Sequence, residues 1–184
     1  MAFTIRKLKT DEEINDVAAL AKEIWTEHYV PLIGAAQTEY MIAVFQSASR
    51  IKSDIAEKNY SYFAVFPDGS NEQIAYLALQ PDDKGVFLSK IYVKKEYRRQ
   101  GAAKMLTDFA LDFAKESTRM PDSVYAKTKY ARPRLWLTVN KGNAGSIEFY
   151  KKVGFVIDKE AVTDIGNDFY MNDYIMTLYF EAEE

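Results

Sequence analysis

Apolar residues at Ile14, Val17, Ala18, Ala21, Ile24 and Trp25, with His28 in phase, recur at the three- and four-residue spacing of one buried helical stripe. Thr10 reads as its N-cap with Glu13 three residues on, and Pro31 and Gly34 are expected to end it. A short strand over Phe3 to Leu8 precedes it. A second helical stretch, residues 37 to 59, is expected to break near Ser47-Ala48-Ser49. Tyr60 to Pro67 alternates and is rich in aromatic and β-branched residues, so it reads as a strand. Asp68-Gly69-Ser70-Asn71 turns it back into a strand over Gln73 to Gln80. A second turn, residues 81–85, leads to an apolar strand from Val86 to Val93. Residues 101–116 form a helix with Ala102, Met105, Leu106, Phe109, Ala110 and Phe113 on one face. Residues 117–133 read as a long loop that contains one short element at most. Arg134 to Val139 is a strand, residues 143–153 a helix capped by Asn143, and residues 154–158 and 174–180 the last strands before an acidic tail. The order β-α-α-β-β-β-α-β-α-β-β predicts a mixed α/β (α+β) fold with helices on both faces of one sheet.

Composition narrows the chemistry. At 184 residues, 48% hydrophobic and 28% charged, the chain suits one soluble domain spanning residues 1–184, since domains average roughly 150 residues. Its apolar runs are too short to span a membrane, and the N-terminus has no signal-peptide pattern, so a cytoplasmic location is expected. With no cysteine, disulfides, thiolate metal sites and cysteine nucleophiles are excluded, and a single histidine rules out a His-rich metal centre. No metal is expected. The formal charge of −3 argues against general nucleic-acid binding. The 13 Tyr and 11 Phe exceed what a core of this size requires, and tyrosines with polar tips can line a pocket.

The sharpest segment runs from Ile91-Tyr92-Val93 through Lys94, Lys95, Arg98, Arg99, Gln100 and Gly101 to Ala102-Ala103-Lys104. A strand, a basic loop and small residues opening a helix make an anion site, because the first helical amides lack intrahelical partners and the helix dipole is positive there. The same spacing also fits a plain tight turn with a solvated basic face. The loop lacks the glycine patterns of dinucleotide and nucleoside-triphosphate sites.

Arg98-x-x-Gly101-x-Ala103 resembles the Gln/Arg-x-x-Gly-x-Gly/Ala signature of the GNAT superfamily of acetyl-CoA-dependent N-acetyltransferases. The residues 88–93 before it resemble that family's central strand. Downstream, Leu135 to Asn140 followed by Asn143-Ala144 and Phe149-Tyr150…Gly154-Phe155 resembles its second block. The ending Asp168-Phe169-Tyr170-Met171 is similar to bacterial polyamine acetyltransferases of the PaiA type. The resemblance implies a mixed, mostly antiparallel sheet in which two parallel strands splay apart around acetyl-CoA. It implies that backbone groups at Ile91, Tyr92 and Val93 pair with the pantetheine arm, and that Arg98, Arg99, Gln100, Gly101, Ala102, Ala103 and Lys104 hold the pyrophosphate. Asn140 and Asn143 would contact pantetheine, and Tyr150 would protonate the departing thiolate.

Many relatives carry a glutamate on the central strand, but here that stretch reads Phe87-Leu88-Ser89, which leaves the general base open. Water relayed from Ser89 or a backbone carbonyl, or an acid such as Glu27, could serve. Asp164, Asp168 and Asp173 read as loop charges. Trp25, His28, Tyr29, Tyr40 and Ser89 are the acceptor-side candidates; Trp25 and His28 read first as core residues, and Tyr29 and Tyr40 are the better pocket-lining candidates, each also readable as an ordinary buried aromatic. The expected activity is acetyl transfer from acetyl-CoA to a primary amine of a small molecule, polyamines included. A protein or peptide acceptor and a non-catalytic acyl-CoA sensor are the alternatives. No nucleic-acid or membrane partner is expected, and a homodimer is left open.

Overall fold

The computed structural model describes residues 2–127 and 132–181. Seven strands form one mixed sheet in the order β1-β2-β3-β4-β5-β7-β6. They are β1 (Phe3–Lys7), β2 (Ser61–Pro67), β3 (Ala75–Asp82), β4 (Gly85–Val93), β5 (Arg134–Asn140), β6 (Val156–Gly166) and β7 (Phe169–Tyr179). Among the described residues, five α-helices accompany them: α1 (Asp11–Ile33), α2 (Ala35–Phe45), α3 (Ala48–Glu57), α4 (Ala102–Arg119) and α5 (Ala144–Lys152). Contacts divide the chain into two compact units, residues 1–80 with 90–107 and residues 81–89 with 108–184. Among the described residues, no helix is long and apolar enough to cross a membrane.

In the first unit α1 starts as expected. Glu13 N–H donates to Thr10 Oγ1 at 3.2 Å while Thr10 and Lys9 N–H donate to Glu13 Oε2 at 3.1 and 2.7 Å, a complete capping box. The two amides, Lys9 first, hold the Glu13 carboxyl below its ordinary value. Such a cap contributes about 1 kcal/mol. Ile14, Val17, Leu20, Ala21, Ile24, Trp25 and Tyr29 form the buried stripe. Pro31 does not end this helix. It lies inside the last turn, and the stop comes at Gly34, whose φ of 84° only glycine adopts readily and whose N–H donates to Val30 O at 3.0 Å. The expected break between the next two helices is present, with Ser47 capping α3 through Arg50 N–H at 3.4 Å. β2 pairs antiparallel with both β1 and β3, and its Tyr62 to Phe66 stretch is buried on both faces.

In the second unit β5 pairs antiparallel with β7, and β7 with β6. β4 and β5 are the parallel pair, with Gly85–Phe87 in register with Arg134–Trp136, after which each strand continues. Gly85 permits that approach: a Cβ there would collide with the backbone carbonyl of Arg134. Two expectations need correction. α4 runs on to Arg119 instead of ending near residue 116, while Tyr125–Lys127 forms a single 3-10 turn, the one short element the following loop was expected to hold at most; residues 128–131 of that loop lie outside the described residues. The last two strands are also far longer than expected, forming an eleven-residue hairpin arm each, because β6 is exposed over most of its length and its polar residues mask the strand pattern.

Candidate active site

β4 ends at Val93, Lys95–Tyr97 makes one 3-10 turn, and α4 opens at Ala102. Between them Arg99 and Gly101 both take positive φ, 60° and 89°. Gly101 is exposed, and a Cβ there would meet nothing within 4 Å, so glycine serves the backbone turn rather than relieving crowding. Met105 N–H donates to Gly101 O at 3.0 Å, which leaves the amides of Ala102 and Ala103 ahead of the helix's own ladder. That arrangement suits a phosphate.

The basic residues of the loop divide in a way the spacing did not reveal. Arg98 is already engaged by the protein: its Nε donates to Val93 O at 2.9 Å and its Nη2 reaches Glu27 Oε2 at 3.4 Å, clamping the loop to the strand end. Lys95 also meets Glu27, at 3.2 Å, and Lys94 meets Glu72 at 3.0 Å and Glu23 at 3.5 Å. The Glu72 hydrogen bond raises the Lys94 ammonium above its ordinary value. Arg99 and Lys104 are the exposed cations nearest the helix start, and Gln100 ties the loop internally by donating to Glu96 O at 2.7 Å.

Of the acceptor-side candidates, Trp25, His28 and Tyr29 come together on α1 against Tyr92 of β4. Trp25 stacks on Tyr29 at 4.2 Å between centroids, and Tyr92 lies 5.5 Å from Trp25 and 6.3 Å from Tyr29. His28 meets Tyr29 edge-on at 4.8 Å. Trp25 and Tyr29 are buried, whereas His28 and Tyr92 are half-buried and form the rim. Tyr40 lies on α2, where its ring meets Phe45. Ser89 is half-buried on β4, in the second unit. Ile91 is half-buried and Val93 buried.

In the second unit, Asn140 and Asn143 build the turn from β5 into α5. Asn140 Oδ1 accepts from Gly142 N–H at 2.9 Å, and Asn143 Oδ1 accepts from Ser146 N–H at 3.3 Å as the helix cap. Tyr150 is 8% exposed, and its ring lies 5.4 Å from Phe149 and 5.5 Å from Phe155. Phe87, on the stretch of β4 that lacks a carboxylate, stacks on Trp136 at 4.2 Å, and Trp136 Nε1 donates to Asp82 Oδ2 at 2.7 Å.

Sequence reading passed over two buried ionisable groups. Lys90 on β4 is 7% exposed, with its ammonium 5.8 Å from the Tyr62 ring centre. Asp54 on α3 is 1% exposed and accepts from Arg50 Nε at 2.6 Å, Lys58 Nζ at 3.1 Å and Tyr62 Oη at 3.1 Å. Burial lowers Lys90 to about 8 against the pull of Asp54, and burial together with Asp54 keeps the Tyr62 phenol protonated. A lysine inside an otherwise apolar strand was the available signal. Asp173 is also no loop charge: it lies on β7, buried, opposite Asn140. Asp164 and Asp168 are exposed at the β6–β7 turn.

Residues 58–157, more than half of the chain, match the family described as the acetyltransferase (GNAT) domain. Uncharacterised N-acetyltransferases of Mycobacterium bovis and Mycobacterium tuberculosis are 25% identical over 164 residues, 89% of this chain and 96% of theirs. Among solved structures, the PaiA N-acetyltransferase of Thermoplasma acidophilum in complex with coenzyme A superposes with a TM-score of 0.73 at 22% identity, over 98% of this chain and all of that one. The ribosomal-protein-S18-alanine N-acetyltransferase of Escherichia coli does so with a TM-score of 0.63 at 22% identity, over 97% of this chain and 94% of that one. The domain match, together with the strand–loop–helix around Gly101, establishes that the chain belongs to the GNAT acetyltransferase family and is an acetyl-CoA-dependent N-acetyltransferase.

Proposed function

We propose that the acceptor is the primary amine of a small molecule, polyamines included, and that it attacks the acetyl thioester directly in a ternary complex. The observation that carries this reading is the aromatic wall of Trp25, Tyr29 and Tyr92 with His28 at its rim, in a chain of net charge −3. Stacked faces attract an alkylammonium, contributing about 0.5–2 kcal/mol according to how far it is desolvated.

The cosubstrate roles follow the loop chemistry. The amides from Arg99 to Lys104 bind the pyrophosphate, and Arg98 holds the loop in its binding shape from behind. Ile91, Tyr92 and Val93 offer backbone groups to the pantetheine arm in the manner of an added strand. Asn140 and Asn143 order the start of α5 and contact the same arm, and Tyr150 protonates the thiolate as CoA departs. A backbone amide of β4 stabilises the oxyanion of the tetrahedral intermediate.

A panel of amines, spermidine, propylamine and an alanine-terminated hexapeptide among them, assayed by CoA release, tests the acceptor class. Turnover of the small amines with little on the peptide is the expected result. Preference for the peptide would transfer the reading to a protein acceptor, and acetyl-CoA binding without any release would leave a sensor. Gly101→Val is expected to weaken acetyl-CoA binding by about ten- to a hundredfold in calorimetric titration. A β-branched residue at φ 89° carries about 1–3 kcal/mol of strain, which the loop relieves by leaving its binding shape. Unchanged affinity would remove this loop from the cosubstrate site.

A further inference from the structure

The stretch between the end of β4 at Val93 and the start of α4 at Ala102 holds an unfavourable backbone. Arg99 takes φ 60° beside Gly101 at 89°, and a side-chain-bearing residue persists in the left-handed region only where its surroundings fix it. The aim of the Ala102 and Ala103 amides depends on that bend keeping its shape.

The fixings differ before and after Arg98. Up to Arg98 they are backbone bonds: Lys94 N–H donates to Ile74 O at 2.9 Å, Tyr97 N–H to Lys94 O at 3.0 Å and Arg98 N–H to Lys95 O at 3.1 Å. From Arg98 onward side chains take over. Arg98 Nε donates to Val93 O at 2.9 Å, and Gln100 reaches back to Glu96 O at 2.7 Å. Glu27 on α1 then meets two of the loop's cations, one with each oxygen: Oε2 with Arg98 Nη2 at 3.4 Å and Oε1 with Lys95 Nζ at 3.2 Å. Glu23, one helical turn earlier, meets Lys94 at 3.5 Å. All of these residues belong to the same compact unit.

We infer that Glu27 is a positioning residue for cosubstrate binding. It holds Arg98 and Lys95 against α1, and through Arg98 it keeps the bend at Arg99 and Gly101 in the shape that aims the α4 amides at the pyrophosphate. This rests on the cosubstrate roles proposed above. Glu27 is then not the general base, because both of its oxygens are engaged by the loop. Charge alone would act in the opposite direction. A carboxylate near a phosphate site repels the anion, so a Glu27 without a positioning role would weaken acetyl-CoA binding, and neutralising it would tighten binding. Positioning makes the same substitution loosen it.

The test is Glu27→Gln, which keeps the shape and removes the charge. The dissociation constant of acetyl-CoA in calorimetric titration is expected to rise about three- to tenfold, as two partly exposed ion pairs are lost. At saturating acetyl-CoA, kcat is expected to stay within about twofold with an unchanged pH profile. The melting temperature should stay within about 4 °C, since exposed pairs contribute little to the fold. Arg98→Met removes the other end of the clamp and weakens binding at least as much. In that background Glu27→Gln costs a smaller factor than in wild type, because the contact it would break is already gone. Unchanged or tighter binding by Glu27→Gln overturns the inference, as do effects of the two substitutions that simply multiply. A fall in kcat with affinity intact would make Glu27 a base instead, and a larger drop in melting temperature would make it a structural residue. Gly101→Val separates this role from the reading beneath it. If that variant binds acetyl-CoA like wild type, the loop is not the phosphate site and both fail; if it binds weakly while Glu27→Gln does not, only the role of Glu27 fails.

Discussion

Tyr150→Phe is expected to lower kcat by about 10²- to 10⁴-fold while the dissociation constant of acetyl-CoA stays within about twofold. The substitution removes one oxygen and leaves the ring, so the packing against Phe149 and Phe155 and the buried position on α5 are retained. What disappears is the proton that turns a thiolate into a thiol as the C–S bond breaks. An interaction made only as that bond breaks lowers kcat and kcat/KM together and leaves ground-state binding alone. Single-turnover CoA release at saturating acetyl-CoA, set beside calorimetric titration of the cosubstrate, separates the two quantities. A rate equal to wild type would make Tyr150 a core aromatic with no part in catalysis, and a loss of affinity matching the loss of rate would make it a binding residue.

The parts of the fold that local chemistry dictates were readable from the chain. The capping box at Thr10 and Glu13, the buried stripe of α1, the break at Ser47 and the glycine opening α4 each need only neighbours in sequence, and each formed where expected. Errors arose where tertiary context overrode a local signal. Pro31 is tolerated because a proline in the last turn deletes only a late backbone bond, and Gly34 supplies the positive φ that stops the helix. The β6–β7 hairpin was cut short because β6 is an exposed edge strand whose residues need not alternate.

The site divides in the same way. The glycine turn before α4 and the Asn143 cap of α5 are local motifs, and as structure both form where the chain predicts them. The partners of Arg98, Val93 O and Glu27, are not legible from its spacing, because they depend on how the loop folds back and on a residue far away in sequence. Asp173 was missed because its strand was expected to begin one residue later, at Tyr174, and outside a strand a carboxylate reads as a solvated charge. Asp54 and Lys90 are far apart in sequence; Asp54 alone resembles an ordinary surface charge, and only the apolar strand around Lys90 marks that lysine.

That last pair yields the largest expected change in stability. Asp54→Ala is expected to cost about 3–5 kcal/mol, a fall in melting temperature on the order of 10 °C for a chain of this size. Arg50 and Lys58 are partly exposed and can turn their charges into water once the carboxylate is gone. Lys90 cannot, and the Tyr62 hydroxyl loses its acceptor in the core. Lys90→Met should act in the opposite direction. The lysine's fall from 10.5 to about 8 means that the folded state resists its charge, so removing it stabilises the protein by roughly 3 kcal/mol at pH 7. Below about 8 both folded and unfolded chains carry the ammonium, and the full penalty applies. Between about 8 and 10.5 the unfolded chain holds the proton and the folded chain does not, so wild-type stability climbs with pH, and the advantage of Lys90→Met vanishes by the upper end of that window. Urea unfolding at pH 7 and at pH 10 measures both values. The two substitutions combined should cost less than their separate effects added, because the charge that Asp54→Ala strands is no longer there. Strict additivity would mean that Lys90 and Asp54 do not sense each other, and a destabilised Lys90→Met at pH 7 would mean that the ammonium holds the core together.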